Sequence, residues 1–425
     1  MARALQAVPD ACGIDFGTSN STAGCAEAAT GQVALLPLEG DKLTLPSVVF
    51  FHAEDADVSY GRAALADYLA GDEGRLMRSM KSLLGTSLID EQTEVAGRAM
   101  PFRALLTQFI GELKRRAEHA AGRDFSRTVI GRPVFFVDGD TQADRQAEDT
   151  LVGIARAVGF QEVAFQYEPI AAAFAYEAQI TGEELVLVVD IGGGTSDFAL
   201  VRLAPARAGR PERRDDILAS SGVHIGGTDF DKTLSLASVM PMLGMGSRLK
   251  NGLTLPSAQY FNLATWHTIN FAYTKKAWVQ ITELYREAQE KDKLARLQRL
   301  VTERAGHWLA MQVEAAKIAL SSSPETQMDL GRIAPAGSLV LRRPDFDAAI
   351  TALVDTVALN VSGLLRDAGI RADAVNTVFF TGGSSSVPLL RERIAALVPG
   401  ARRVEGDLSG SIGTGLALDA MRKFG

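Results

Sequence analysis

Two stretches of this chain are versions of one another, and a fold must place both. GIDFGTSNSTAG at 13–24 and VVDIGGGTSDFALV at 188–201 each read as a hydrophobic strand ending in Asp, then glycine, Thr-Ser, a polar residue and a second apolar run. A glycine turn lets backbone N–H groups approach phosphate oxygens with no β-carbon in the way, and successive inward N–H groups form an anion cradle. Gly17, Gly192, Gly193 and Gly194 suit that task. Asp15 and Asp190 stand just before the turns and would repel a phosphate, which implies an intervening hydrated cation, most simply Mg²⁺. Two such turns predict a duplicated fold gripping a phosphate chain from both sides.

At 425 residues the chain exceeds what one hydrophobic core usually serves, about 250–300 residues, so more than one core is expected. A net charge of −7 offers no electrostatic case for nucleic acid or an anionic membrane surface. MARALQAVPD at the amino end lacks the apolar run of a secretory leader, and apolar runs such as LVLVV at 185–189 are strand-sized. The expected location is the cytoplasm. Cys12 and Cys25 make no metal-ligand set and read as reduced, buried small hydrophobes.

Short β-rich runs alternate with helical patterns, the mark of α/β architecture. Phe102, Leu105, Leu106, Phe109, Ile110 and Leu113 recur at helical spacing and predict an amphipathic helix over 101–121 that covers a sheet. A helix is expected from about Gln142 to Val158, and strands at 185–191 and 198–203, followed by a charged loop at 206–216. Thr228 reads as the N-cap of a helix, with Asp231 completing a capping-box-like start. From Met240 to about Ala305 the chain reads as an inserted helical subdomain with Trp266, Trp278 and Trp308 as its core. No G-x-x-x-x-G-K-S/T stretch occurs, which excludes the P-loop class.

Five segments in order, GIDFGTSNS, YEPIAAAFAYE, VVDIGGGTSDFALV with the following GGTDFD, EAAKIALSSS, and FFTGGSSSVPLLRERI, resemble the nucleotide-binding domain of the seventy-kilodalton heat-shock chaperones of the DnaK type, a branch of the actin-like ATPases. The likeness runs from about Gly13 to Ala420. It implies two lobes, each on an RNase H-like sheet, with ATP or ADP and Mg²⁺ in the cleft: residues 1–182 plus 405–425 as the first lobe, with a subdomain at about 41–122, and 183–404 as the second, with a helical insert at about 233–324.

Carried over by position, Gly17, Thr18 and Ser19 would hold the β- and γ-phosphates from the first lobe, and Gly192, Gly193, Gly194 and Thr195 from the second. Asp15 and Asp190 would orient waters on the metal, Asp197 would lie near the attacking water, and Glu168 would support metal or water. Lys81, in RLMRSMKSLLG, matches the lysine that positions that water and offsets γ-phosphate charge. Gly226 and Gly227 would add phosphate contacts; Glu314, Lys317, Ser321 and the turn Gly382, Gly383, Ser384 would complete the nucleotide site.

The chain departs from the family pattern in two ways. Ile318 and Ser386 stand where the chaperones carry the two arginines that sandwich adenine, and the chain stops at MRKFG where they continue into a peptide-binding domain. The pattern is most similar to short YegD-type relatives. The resemblance implies a slow Mg²⁺-dependent ATPase that switches conformation for a protein partner. The rival readings are a nucleotide-dependent filament protein of the MreB or ParM kind, a pseudo-ATPase, and a sugar kinase or polyphosphate phosphatase on the same fold.

Overall fold

The computed structural model describes residues 10–27, 30–53, 57–95, 97–210, 213–334 and 337–425. Most of the amino-terminal MARALQAVPD and two positions of the charged 206–216 loop lie outside the described residues. The chain divides into two compact units, one of residues 1–226, 357–385 and 391–425, the other of residues 227–356 and 386–390.

The first unit contains the same sheet twice. Ala11–Phe16 pairs antiparallel with Asn20–Ala26, which pairs with Val33–Leu35; on its other side Ala11–Phe16 runs parallel to Arg127–Arg132, and that strand parallel to Glu162–Tyr167. The second sheet repeats this order. Glu184–Ile191 pairs antiparallel with Ser196–Leu203, which pairs with Ile217–Val223; Glu184–Ile191 also runs parallel to Thr377–Thr381, and that strand parallel to Arg402–Glu405. The registers match too: Asp15 faces Thr22, and Asp190 faces Asp197, seven residues on in each case. This is the duplicated α/β architecture with an RNase H-like sheet in each copy.

Burial explains why these runs become central strands. Every residue of Ala11–Phe16, and all of Glu184–Ile191 after its first two, is buried, as expected for strands covered on both faces. The helix Phe102–Ala121 forms as the apolar spacing predicts, with Leu105, Leu106, Phe109, Ile110 and Leu113 fully buried. Cys12 and Cys25 are free and belong to the core that this helix covers; burial pushes the Cys12 thiol up to about 12.

The last helix, Ser411–Phe424, packs against Ala11–Phe16 and the helix Glu168–Glu177 so closely that glycine is required on both sides. A β-carbon on Gly13 would strike the backbone of Ala417, and one on Gly415 the carbonyl of Ala171. Because the obstacle is backbone, no side-chain rotation can relieve it. Gly415→Ala is therefore expected to destabilise the fold by about 2–3 kcal/mol, measured as a lowered urea midpoint at unchanged slope.

The second unit carries the helices Ala258–Leu263, Lys275–Glu287, Lys291–Thr302 and Gly306–Ser322 and a two-stranded sheet, Glu325–Asp329 with Ser338–Arg342. Trp266 and Trp308 lie in its core as expected, but Trp278 is 39% exposed. In Lys275–Glu287 the buried positions are Ala277 and Ile281, one turn apart, and Trp278 falls on the neighbouring face. The helix start near 228 also differs. The helix begins at Gly227, so Thr228 lies inside it, and Asp231 forms an ion pair with Lys317 at 2.9 Å.

Among the described residues one helix, Arg343–Asp367, is long and apolar enough to cross a bilayer by length and composition alone. Its buried residues Phe346, Ile350, Val354, Val357 and Val361 recur at helical spacing, the stripe of a core helix.

Candidate functional site

Both glycine turns, the carboxylates and Lys81 fall within the first unit, so their mutual geometry can be read directly. The turn after Ala11–Phe16 is pinned by Ser47. The Ser47 hydroxyl donates to the carbonyl of Gly17 at 2.7 Å, and the Ser47 N–H donates to the carbonyl of Ser19 at 2.9 Å. The second turn closes on itself, with the Gly192 N–H donating to the carbonyl of Thr195 at 2.9 Å.

The two turns abut. A β-carbon on Gly193 would sit 2.5 Å from the Ser19 hydroxyl oxygen and 3.2 Å from Thr18 Cβ; one on Gly194 would sit 2.9 Å from Thr18 Oγ1. A third glycine closes the group, since a β-carbon on Gly226 would meet the backbone of Gly193 and Gly194 at 2.7 Å. The Ser196 hydroxyl ties that segment to the second turn by donating to the carbonyl of Ile225 at 2.7 Å. Gly382 adopts the left-handed region with φ 76°, and its α-carbon lies where a β-carbon would strike Asp190 Oδ1 and the Ile191 carbonyl. Ser384 behind it is buried and Gly383 is exposed.

Beside these turns lies a buried charge cluster. Lys81 Nζ donates to Glu168 Oε1 at 2.5 Å, and both side chains are buried. Glu168 is the first residue of the helix Glu168–Glu177, with Pro169 next, where a carboxylate also meets the positive end of the helix. Burial pushes the Asp15 carboxyl up to about 7, with the Glu168 charge adding to this and Lys81 opposing it. Asp197 is likewise raised to about 7 by burial and by Glu168, partly offset by the Thr195 hydroxyl and the Val134 N–H. Asp190 is pushed well above the ordinary carboxylate range by burial and by Glu168, Asp197 and Asp15. Burial alone would lower the Lys81 ammonium, but Glu168 and Asp15 hold it above the usual lysine value.

This arrangement suits a hard cation. Four carboxylates share one ammonium, and Asp190 Oδ1 and Asp197 Oδ2 are buried oxygens with no hydrogen-bond partner. Such oxygens are costly unless something meets them. Among the described residues no three His, Cys, Asp or Glu converge closely enough to ligate a metal directly.

Gly227, Glu314, Lys317 and Ser321 belong to the second unit. Lys317 is buried there, pairing with Asp231 and donating to the Gly227 carbonyl at 3.1 Å. Ile318 on the same helix is 61% exposed.

Several supporting groups escaped the sequence reading. Ser47 is 30 residues from the turn it holds, and the Val134 N–H, which donates to Asp197 Oδ1 at 2.6 Å, is 63 residues from its partner. No local spacing signals either contact.

Over residues 11–239 and 280–414 the chain matches the Hsp70 protein family. The chaperone protein HscA of Klebsiella pneumoniae (strain 342) is 28% identical over 404 residues, which is 90% of this chain and 53% of that protein. The HscA homolog of Shewanella oneidensis is 26% identical over 432 residues, 96% of this chain and 58% of that protein. HscA of Salmonella typhimurium (strain LT2) is 28% identical over 406 residues, with 90% and 53% covered. The chain spans little more than half the length of these relatives. With most of its length matched by the family and the duplicated sheets carrying their paired turns, this chain belongs to the Hsp70 family.

Proposed function

We propose that this chain binds ATP and ADP with Mg²⁺, hydrolyses ATP slowly, and uses the nucleotide state as a switch for a protein partner in chaperone-related work. The observation that carries the reading is the contact of Gly193 and Gly194 with Thr18 and Ser19, which sets two backbone anion cradles from duplicated hairpins against each other beside Lys81.

In this reading the N–H groups around Gly17–Ser19 and Gly192–Thr195 hold the phosphate chain, each turn from its own sheet. Asp15 and Asp190 hold the waters of Mg²⁺, whose role is to offset charge on the phosphates. Asp197, fixed by the Val134 N–H, accepts from the attacking water, and Glu168 holds Lys81 in place. Lys81 supplies positive charge that offsets the negative charge on the γ-phosphoryl oxygens. Because a γ-phosphate touches both turns and ADP leaves one of them without a partner, hydrolysis changes what holds the two sheets together.

Titration calorimetry tests the binding step. ATP should bind with Mg²⁺ and bind at least about ten-fold more weakly after Asp190→Asn or without the cation, the effect of a lost charge-assisted contact. Equal binding in all three cases removes the metal from the reading.

The base end carries its own expectation. Without arginine at 318 and 386, adenine lacks the cation–π contacts worth about 0.5–2 kcal/mol each. Ile318→Arg, at an exposed position on its helix, should tighten ATP by about two- to thirty-fold and sharpen the preference for ATP over GTP. Nanomolar ATP affinity with strong base preference in the wild type would contradict this.

A further inference from the structure

Ser79 concentrates two costs next to Lys81. Among the described residues only Ser79 and Arg304 adopt positive φ without being glycine; Ser79 has φ 58° and ψ 33°. The left-handed region brings a β-carbon too close to the following carbonyl, a penalty that glycine escapes. Ser79 is also buried, 3% exposed, and its hydroxyl has no hydrogen-bond partner. Strained and unsatisfied residues persist where the surroundings over-determine them, and they cluster at functional sites.

The surroundings show what the strain holds. The strand Gly74–Arg78 ends at Ser79, and the tight turn Met80–Leu83 begins immediately after it. The Ser79 carbonyl accepts from the Ser82 hydroxyl at 2.6 Å and the Ser82 N–H at 3.2 Å, which fixes the start of the turn. In a turn of three residues per revolution, positions three apart share a face. Met80 and Leu83 therefore lie together, and both are buried in the main core with Leu84. Lys81 is left on a different face, where its ammonium meets Glu168. A residue kept in the extended region at 79 would send the chain onward along the strand direction, so that Met80 and Leu83 could not enter the core with Lys81 still at Glu168.

We infer that Ser79 is a positioning residue: its left-handed backbone aims the Met80–Leu83 turn so that Lys81 reaches Glu168. The inference rests on the ATPase reading for its kinetic consequence, but not for its geometry. It requires the backbone conformation rather than the hydroxyl.

The test compares four variants of the full chain. Ser79→Val disfavours the left-handed region strongly, Ser79→Gly and Ser79→Asn accept it, and Ser79→Ala removes only the hydroxyl. In steady-state and single-turnover assays with ATP and Mg²⁺, Ser79→Val should lower kcat at least about ten-fold and leave ATP affinity within about two-fold, since a misplacement near 1 Å suffices for such a loss. Gly, Asn and Ala variants should remain within about three-fold of wild type in kcat. Equal kcat in Ser79→Val, a parallel loss of affinity and kcat, or an impaired Gly variant overturns the assignment. If Ser79→Val does not fold, Ser79→Thr, which adds one methyl, carries the same comparison.

If the wild type itself does not turn over ATP, the ATPase reading has failed and the geometry is judged separately. Crystal structures of the folded β-branched variant and of Ser79→Gly should then show Lys81 displaced from Glu168 in the first and kept within hydrogen-bond distance in the second. Lys81 unmoved in both overturns the positioning role.

Discussion

Lys81→Ala is expected to lower single-turnover ATP hydrolysis by about 100- to 1,000-fold, the range for losing one preorganised charge or donor at a transition state. Nucleotide affinity should change far less, because the backbone cradles of Gly17–Ser19 and Gly192–Thr195 remain. The geometry gives the reason. Among the described residues Lys81 is the one ammonium facing Asp15, Glu168, Asp190 and Asp197, and it is buried, so water cannot replace its charge. Lys81→Arg should not restore activity, since a planar guanidinium is wider than an ammonium and would have to enter the same buried position beside Glu168. Equal, measurable single-turnover rates for wild type and Lys81→Ala would remove the catalytic role of Lys81, whereas no turnover in either would leave a nucleotide-binding protein that does not hydrolyse.

The second large effect concerns stability. Arg213 is buried and forms two hydrogen bonds to Glu177, at 2.7 and 2.8 Å, and one to Asp216 at 2.6 Å. Arg207 completes the group at Asp216, the Ala204 N–H donates to Glu177 at 3.1 Å, and the Arg213 guanidinium lies 5.1 Å from the Phe174 ring. Removing the central cation strands Glu177 away from water and leaves Asp216 with Arg207 alone. Arg213→Met is expected to cost about 3–5 kcal/mol in chemical denaturation. Adding Glu177→Leu and Asp216→Leu should recover part of that loss, because an apolar replacement of the whole group no longer strands a charge. A cost below about 1 kcal/mol for Arg213→Met would show that the group is solvated.

The same group sets an acid limb. Burial alone would raise the Asp216 carboxyl, but hydrogen bonds and charge from Arg213 and Arg207 hold it below its ordinary value. A carboxyl depressed in the folded state contributes stability that is present in full above the unfolded value, near about 3.9, and lost as pH falls through the lower folded value. Wild type should therefore lose stability below about pH 4, and Arg213→Met should show a shallower decline there.

Much of this was legible in the residues. The repeat of strand, Asp, glycine and Thr-Ser is a local pattern, and local patterns survive folding; hence the matched sheets and the abutting turns. The Phe102–Ala121 helix was readable for the same reason. What stayed hidden depends on partners distant in sequence. Arg213 and Glu177 are 36 residues apart, Lys317 and Asp231 are 86 apart, and neither spacing announces a pair. Thr228 carries a good N-cap side chain, yet the helix begins at Gly227. Trp278 has the size of a core residue but the wrong angular position on its helix. The left-handed conformation of Ser79 is invisible in a sequence because serine does not ordinarily mark such a place.

The glycines under the last helix have a mechanical meaning. Soft side chains between packed elements act as cushions that take up small displacements. None stands between Gly13 and Ala417 or between Gly415 and Ala171. The strand bearing Asp15, the helix beginning at Glu168 and the helix Ser411–Phe424 therefore form a joint without play. Any displacement of the strand bearing Asp15 or of the helix beginning at Glu168 meets the backbone of the final helix with no side chain between them to absorb it.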